Sequence, residues 1–314
     1  MNLAVLWWKA ISGNRFGSST FDNFIAYDML PPVTRMVVGL PFCWIFPNLH
    51  HQNVALRTAF LDYSLVKLLS EEEESRQSSS SPSTSPSLQT PRVITLGAGF
   101  DTRSLRFRQP NSERSLTGGP SDSATPSSSS SSISSSGAVS TSSSSTGSTS
   151  NSFKADFYEV DLPSVVQQKR SVFNRFLLRR PKSILPKLYG ADLNFSEEVK
   201  KQLELIFADN EGRSDELEKT RPTVFIIEAV LMYLKEENVM PLLSLAMKEA
   251  AKHSSSVHLC FADRLPGMPH NDTDLEVERA AAVELLRSVG LDLTTWQPKP
   301  GRARHMGIAK YNLG

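Results

Sequence analysis

The chain contains few of the residues that form disulfides or bind metal ions. It has 314 residues, of which two are cysteines, Cys43 and Cys260, and six are histidines without the spacing of a ligand set. Two cysteines are too few for a disulfide framework or a structural zinc site. We therefore expect a reducing, cytoplasmic compartment and a mechanism without a metal ion.

The sequence also lacks a charge excess and a long apolar run. Its formal net charge is +1, so it has no basic excess of the kind that nucleic-acid binding needs. The apolar run 37–47 contains Pro41 and is shorter than the roughly 20 residues of a membrane-spanning helix. The first nine residues are apolar without a basic start, so we expect no signal peptide. Neither a membrane nor a nucleic acid is an expected partner.

Two stretches have too few apolar residues to form a core. Residues 75–90 are rich in serine and proline, and half of the 42 residues 111–152 are serine. Such segments bury too little apolar surface to become ordered, so both are predicted to be disordered insertions. The rest is expected to form one domain, residues 1–314, with a helical cap (1–70) and an α/β core (91–314).

A helix is predicted over Gln52–Leu69, because apolar residues recur there at helical spacing from Leu56 to Leu69. Arg57 follows Leu56, at the edge of the apolar face. An arginine at such an edge is usually solvated, and this alternative stays open for Arg57. Upstream, four prolines break the helical patterns, as expected of a cap.

The stretch with the most functional information is Arg92–Arg103. Val93–Leu96 is a short, partly β-branched apolar run typical of a buried strand, and Gly97 and Gly99 follow it. The third glycine of a dinucleotide-binding turn is missing, and Asp101 follows instead. Because a carboxylate repels phosphate, the turn favours a cationic nucleoside such as S-adenosylmethionine (SAM). A purely structural turn is the alternative.

Strand and helix patterns alternate through the rest of the chain. This order predicts an α/β fold with a doubly wound, mostly parallel, Rossmann-like sheet. The last two strands are expected to form an antiparallel pair. The predicted strands after the first lie at 155–161, 187–192, 224–227, 256–263, 293–297 and 304–311.

Carboxylates stand at the ends of several of these strands, and two of them can be interpreted from the residues alone. Asp161 ends the second strand, where an α/β nucleotide fold places the acceptor for the ribose hydroxyls. The alternative is that Asp161 caps the helix that begins near Pro163. Glu228 follows the apolar run Val224–Ile227, and burying it unpaired would be costly, so we expect it at the open edge of the sheet or bound to a partner.

Four segments together closely resemble the leucine carboxyl methyltransferase family of SAM-dependent, Rossmann-like methyltransferases. They are the sequences LGAGFDTR at 96–103, YEVDLP at 158–163, GADL at 190–193 and IEAVLMYL at 227–234. Each lies at a predicted strand end, in the order found in the family. The resemblance covers about residues 53–234.

The resemblance implies a set of roles around bound SAM. Arg57 would pair with the methionyl carboxylate, and Glu228 would lie near the methionyl ammonium. Gly97 would line the turn and Asp161 would bind the ribose. The adenine would be flanked by Asp192 and Leu193.

Tyr233 matches a tyrosine on the substrate side, although a packing role is the alternative. The family's N-terminal lysine has no matching motif here, and Lys9 is the nearest basic residue.

A carboxylate, on a small molecule or at a protein C-terminus, is the acceptor that the resemblance implies. With a pKa of roughly 3.5 such an acceptor is ionised at neutral pH and needs no general base. Arg103 and Arg264 are candidates to hold it because they follow strand ends. A hydroxyl acceptor would need a base, for which Tyr233, His258 and His270 are the candidates. A non-catalytic SAM-binding protein regulated through its serines is a further alternative.

Deleting residues 111–152 is expected to leave the thermal unfolding temperature and the SAM affinity nearly unchanged, because a serine-rich insertion adds no core. Differential scanning calorimetry and calorimetric titration with SAM measure both. A large loss of stability on deletion would contradict the assignment of this segment as an insertion.

Overall fold

A computed structural model describes residues 6–7, 9–11, 23–38, 48–79, 90–107, 155–209, 221–268, 274–297 and 305–313. The predicted insertion 111–152 and His270 lie outside the described residues. The described residues form a seven-stranded sheet with helices on both faces.

The secondary-structure elements alternate along most of the chain. The helices are α1 (Asn23–Met29), α2 (Pro32–Val38), α3 (Asn48–Ser79), α4 (Arg103–Phe107), α5 (Pro163–Leu177), α6 (Ser196–Phe207), α7 (Glu236–Ala251) and α8 (Leu275–Arg287). The strands are β1 (Arg92–Leu96), β2 (Asp156–Asp161), β3 (Lys187–Gly190), β4 (Thr223–Glu228), β5 (Val257–Asp263), β6 (Leu291–Trp296) and β7 (His305–Tyr311). A short 3-10 turn, Leu231–Tyr233, follows β4.

The strand order is β3-β2-β1-β4-β5-β7-β6. Strands β1 to β5 run parallel to one another. Strand β7 lies between β5 and β6 and is antiparallel to both. The predicted doubly wound, mostly parallel α/β fold is confirmed. The predicted antiparallel terminal pair also forms, and β7 joins it to the parallel strands because it pairs with β5 as well as with β6.

Strand β4 shows why its sequence is continuously apolar. Phe225 and Ile227 belong to the core on the face covered by α6, α7 and α8, whereas Val224 and Ile226 belong to the core on the face covered by α3. Successive strand residues point to opposite faces, so a strand covered on both sides needs apolar residues at every position. Glu228 ends this run at the carboxyl edge of the sheet.

Helix α3 departs from its prediction in length and in face. It continues to Ser79, so the predicted end near Leu69 is wrong and residues 75–79 are helical. Leu56 is 54% exposed, whereas Arg57 is only 6% exposed. Arg57 stands about one helical turn before the buried Leu61 and about two turns before the buried Leu65, so the buried stripe includes the arginine.

The described part of the N-terminal cap packs against the turn after β1 and against helix α5. Leu6, Ile25 and Leu30 share a buried cluster with Phe100, which follows the glycine turn, and with Phe173 of α5. The cap therefore lies next to the carboxyl edge of the sheet. Within the described residues, no helix combines the length and the hydropathy that crossing a membrane requires.

Candidate active site

The carboxyl ends of β1 and β4 lie side by side at the centre of the sheet. Strand β1 pairs with β2 on one side and with β4 on the other, so the direction of strand addition reverses between β1 and β4. In open α/β sheets, ligands bind in the crevice at such a switch point. The glycine turn after β1 and Glu228 at the end of β4 both border this position.

The glycine turn is tight on one side and open on the other. Both glycines have positive φ angles, 67° at Gly97 and 47° at Gly99. A Cβ added to Gly97 would lie 2.2 Å from Cγ2 of Val230, so only glycine fits between β1 and the segment after β4. A Cβ added to Gly99 would meet no described atom within 4 Å. The backbone of Gly99 therefore borders space that no described residue fills.

Asp161 is hydrogen-bonded to the turn on this open side, at Gly99. Its Oδ2 accepts a hydrogen bond of 2.6 Å from the Gly99 amide, and its Oδ1 accepts one of 2.7 Å from the Leu162 amide. Helix α5 has Leu162 at its N-cap and no side-chain capping bond, so the alternative that Asp161 caps this helix is wrong. A carboxylate oxygen has two lone pairs, so each Asp161 oxygen keeps acceptor capacity for a ligand hydroxyl.

Asp192 and Leu193 form the next part of the rim, after β3. Asp192 Oδ1 accepts from the backbone and side-chain nitrogens of Asn194, at 2.9 and 3.0 Å, while Leu193 is buried. Asn194 Oδ1 in turn accepts from the Lys235 amide at 3.0 Å. The loop after β3 is thus hydrogen-bonded to the segment that follows β4.

Glu228 lies in a buried cluster of charged side chains. Its Oε1 accepts a hydrogen bond of 2.6 Å from Arg57 Nε, and its Oε2 accepts one of 2.6 Å from Arg103 Nη1. The expectation that Glu228 would be paired or at the open edge is met on both counts. Helix α3, the start of α4 and the end of β4 therefore meet at one carboxylate.

Arg103 connects Glu228 to two further carboxylates. Its Nη1 also donates to Asp101 Oδ2 at 2.8 Å, and its Nε donates to Asp62 Oδ1 at 2.8 Å. Asp62 accepts in addition from both terminal nitrogens of Arg106. With a side chain only 1% exposed, Arg103 is committed to this network. Its Nη2 is buried without a hydrogen-bond partner among the described residues, so its candidate role in holding an acceptor stays a prediction.

Lys9 completes the cluster from the cap. Its Nζ lies 3.8 Å from Asp101 Oδ1, and its side chain is 4% exposed. The structure gives this ammonium no hydrogen bond to the described residues. Sequence patterns could not assign Lys9, because no motif surrounds it; only the packing of the cap brings it to the glycine turn.

The protonation of the cluster follows from burial and opposing charges. Burial alone would raise the pKa of Asp101, but Arg103 and Lys9 outweigh it and lower the pKa to about 2. The pKa of Glu228 is held well below its usual value, because Arg103, Lys9 and Arg57 together outweigh its burial. Burial lowers the pKa of Lys9, against the opposing effect of Glu228 and Asp101.

The remaining candidates lie apart from the cluster. Tyr233 is in the 3-10 turn after β4 and is 65% exposed, and Arg264 is exposed directly after β5. His258 is near the amino end of β5, where its Nε2 lies 3.3 Å from Glu72 of α3. That is the edge of the sheet opposite Glu228, so His258 is excluded as a base at the end of β4.

A family model, described as leucine carboxyl methyltransferase, matches residues 148–247, which include β2 to β4 and most of α7. The matched residues resemble those of a methyltransferase family, and they form part of a doubly wound, Rossmann-like sheet. Over these residues the chain is similar to the leucine carboxyl methyltransferase family, whose members are SAM-dependent. No curated protein sequence matches this chain significantly.

Several solved structures are distantly similar. The SAM complex of LepI is 10% identical with a TM-score of 0.35, and the match covers 78% of this chain and 46% of that one. Magnesium protoporphyrin IX methyltransferase from Synechocystis PCC 6803 with bound SAM is 11% identical, with a TM-score of 0.40 and 97% of each chain covered. Mitomycin 7-O-methyltransferase is 11% identical, with a TM-score of 0.34, covering 84% of this chain and 57% of that one. This chain spans less than half of the LepI chain.

Acid should destabilise the protein through this cluster. A carboxyl group whose folded-state pKa is depressed stabilises the fold above its unfolded pKa and loses that contribution as the pH falls through the folded value. Asp101 and Glu228 are both of this kind. The free energy of unfolding, measured with urea, should therefore fall as the pH drops from about 5 towards about 2.

Glu228→Gln tests which carboxylate carries this dependence. At neutral pH the variant should be less stable by about 3–5 kcal/mol, because two arginines lose a buried partner. The difference from the parent should shrink on acidification. Glu237→Gln, at an exposed acid in the first turn of α7, is the matched control. A Glu228→Gln difference that stays constant with pH would refute the assignment.

Proposed function

We propose that this protein transfers the methyl group of SAM to a carboxylate, and that it binds SAM in the crevice between β1 and β4. The observation that carries the proposal is the convergence at one sheet edge of the open glycine turn, Asp161 and the Glu228 cluster. The family match supports the cofactor class. The carboxylate acceptor is the step beyond that match.

The nucleoside end of SAM fits the side of the crevice formed by β2 and β3. The open space beside Gly99 adjoins Asp161, whose two oxygens suit the two vicinal hydroxyls of a ribose. Asp192 and Leu193 come next along the rim and would flank the adenine. Gly97 would line the turn without touching the ligand through a side chain.

The methionyl end fits the charges of the buried cluster. Among the described residues it contains four cations, Lys9, Arg57, Arg103 and Arg106, but three carboxylates, Asp62, Asp101 and Glu228. A buried excess of one positive charge is costly unless an anion offsets it. The methionyl carboxylate supplies one such anion.

Lys9 and Arg57 are the cations best suited to this carboxylate. Lys9 lacks a hydrogen bond to the described residues, and Arg57 uses only its Nε on Glu228. Both side chains belong to helical segments outside the sheet, so they close over the crevice from the cap side. Glu228 would face the methionyl ammonium.

Methyl transfer from SAM to a carboxylate would then require few catalytic groups from the protein. SAM supplies a methyl group on a sulfonium, which leaves as a neutral thioether. An acceptor carboxylate is already ionised at neutral pH, so alignment and exclusion of water remain as the tasks of the protein. His258 lies at the opposite edge of the sheet and is therefore not placed to deprotonate a hydroxyl acceptor.

Tyr233 and Arg264 are the candidates on the acceptor side. They follow the adjacent strands β4 and β5, and both are exposed at the carboxyl edge. Arg264 would pair with the acceptor carboxylate and Tyr233 would position it. The acceptor itself is a small molecule or a protein C-terminus.

The cofactor site is tested by Arg57→Ala and Asp161→Ala. Each should weaken SAM binding by about 10- to 100-fold, because each removes a charged hydrogen-bonding group worth about 1.5–3 kcal/mol. Calorimetric titration measures the affinity and circular dichroism verifies folding. Asp156→Ala, at the other end of β2, and Arg287→Ala, on the surface of α8, are matched controls. Unchanged affinity in a folded double variant would refute the site.

The reaction is tested by the chemical stability of the product. Labelled SAM is incubated with the enzyme and a cell extract, and products heavier by one methylene are collected by mass spectrometry. A methyl ester releases labelled methanol in mild alkali, whereas a methyl ether survives. We expect alkali-labile label. Stable label would identify a hydroxyl acceptor, and SAM binding without transfer would favour the non-catalytic alternative.

A further inference from the structure

The segment between β4 and α7, residues 229–235, begins in a strained conformation. Ala229 has a φ of 51°, which no other described non-glycine residue shares in sign. The left-handed region is unfavourable for an L-residue with a side chain. Such a conformation persists only where surrounding contacts hold it. The contacts that hold Ala229 therefore matter to the residues on either side of it, Glu228 and Tyr233.

One carboxylate accepts hydrogen bonds from the two amides that directly follow Ala229. Asp263, the last residue of β5, is fully buried, and its Oδ2 accepts hydrogen bonds from the amides of Val230 and Leu231, at 2.5 and 2.8 Å. Its Oδ1 accepts from the Arg264 amide at 2.7 Å. A single side chain thus fixes the segment after β4 and the first residue after β5. These are the positions that carry Tyr233 and Arg264.

Glu228 is held independently of Asp263. Its carboxylate is bound by Arg57 and Arg103, and its backbone is paired with Ala262 in the sheet. Loss of the Asp263 bonds would leave the amides of Val230 and Leu231 without their acceptor and let Ala229 relax, while Glu228 stayed in place. The cofactor side and the acceptor side of the crevice are therefore held by different carboxylates.

We propose that Asp263 is a positioning residue for the acceptor side of the site: it holds residues 229–235 in their strained conformation and so sets the position of Tyr233 relative to the transferred methyl group. This role rests on the proposed methyl transfer. Asp263 does not itself contact SAM or acceptor, and it acts through the backbone of Val230, Leu231 and Arg264.

Asp263→Asn tests the proposal, because the amide keeps the size of the side chain but leaves only one acceptor oxygen. Hydrogen–deuterium exchange of a peptide covering 229–235 should rise, while the SAM affinity should change by less than about threefold. Methyl transfer to the cell extract, at saturating SAM, should fall by about 10-fold or more, because misplacement of the acceptor raises the barrier.

Two further variants separate this role from general destabilisation. Asp156→Asn makes the same change at the opposite edge of the sheet, where Asp156 pairs with Arg221, and should alter neither the exchange of 229–235 nor the transfer rate. Adding Ala229→Gly to Asp263→Asn should recover part of the transfer rate, because glycine adopts the positive φ without the penalty.

The outcomes distinguish the proposed methyl transfer from the positioning role of Asp263. No transfer by the unaltered protein would overturn the proposed function and this role with it. The positioning role alone would be overturned if the unaltered protein transfers methyl groups and Asp263→Asn loses SAM affinity and transfer rate by the same factor. An Asp263→Asn variant with unchanged exchange in 229–235 would also overturn it.

Discussion

The double ion pair of Glu228 with Arg57 and Arg103 is the interaction on which the rest of the site depends. It joins a helix that precedes the sheet, the loop after β1 and the end of β4, which are far apart in sequence. Burying one carboxylate and two guanidinium groups is favourable only when each is paired. The pairing therefore fixes three elements relative to one another at the switch point of the sheet.

A second consequence of this arrangement is electrostatic. The pKa values of Asp101 and Glu228 are lowered by their cationic neighbours, so both carboxylates stay ionised across the physiological pH range. Among the described residues the cluster has one more cation than carboxylates, and Lys9 has only an ion pair of 3.8 Å, with Asp101. Under the proposed function, Glu228 would face the ammonium group and Lys9 the carboxylate of the amino-acid end of SAM. The neighbouring segment 229–235 depends on a different acid, Asp263.

Much of the fold was predictable because it depends on local patterns. The apolar run before Gly97, the alternation ending in Asp161 and the run before Glu228 each gave the correct strand within a residue or two. The site was predictable as far as residues stand at strand ends. Arg57 was placed at the edge of the apolar face because periodicity cannot show that an ion pair replaces an apolar contact, and Leu56 was wrongly placed on that face. Lys9 and Asp62 carry no local signal, since their partners come from other elements. Asp263 ends a predicted strand, but the sequence does not show that it accepts from the amides after β4. The roles of the site residues, the acceptor and the cytoplasmic location stay predictions.

A crystal structure with S-adenosylhomocysteine, the product of methyl transfer from SAM, tests the central claim most directly. The account predicts that the ribose hydroxyls lie within hydrogen-bonding distance of Asp161, with the nucleoside beside Gly99. It also predicts that the amino-acid carboxylate lies against Arg57 and Lys9, with its ammonium towards Glu228. A ligand bound elsewhere, with Asp161 and Glu228 in contact only with protein, would contradict it.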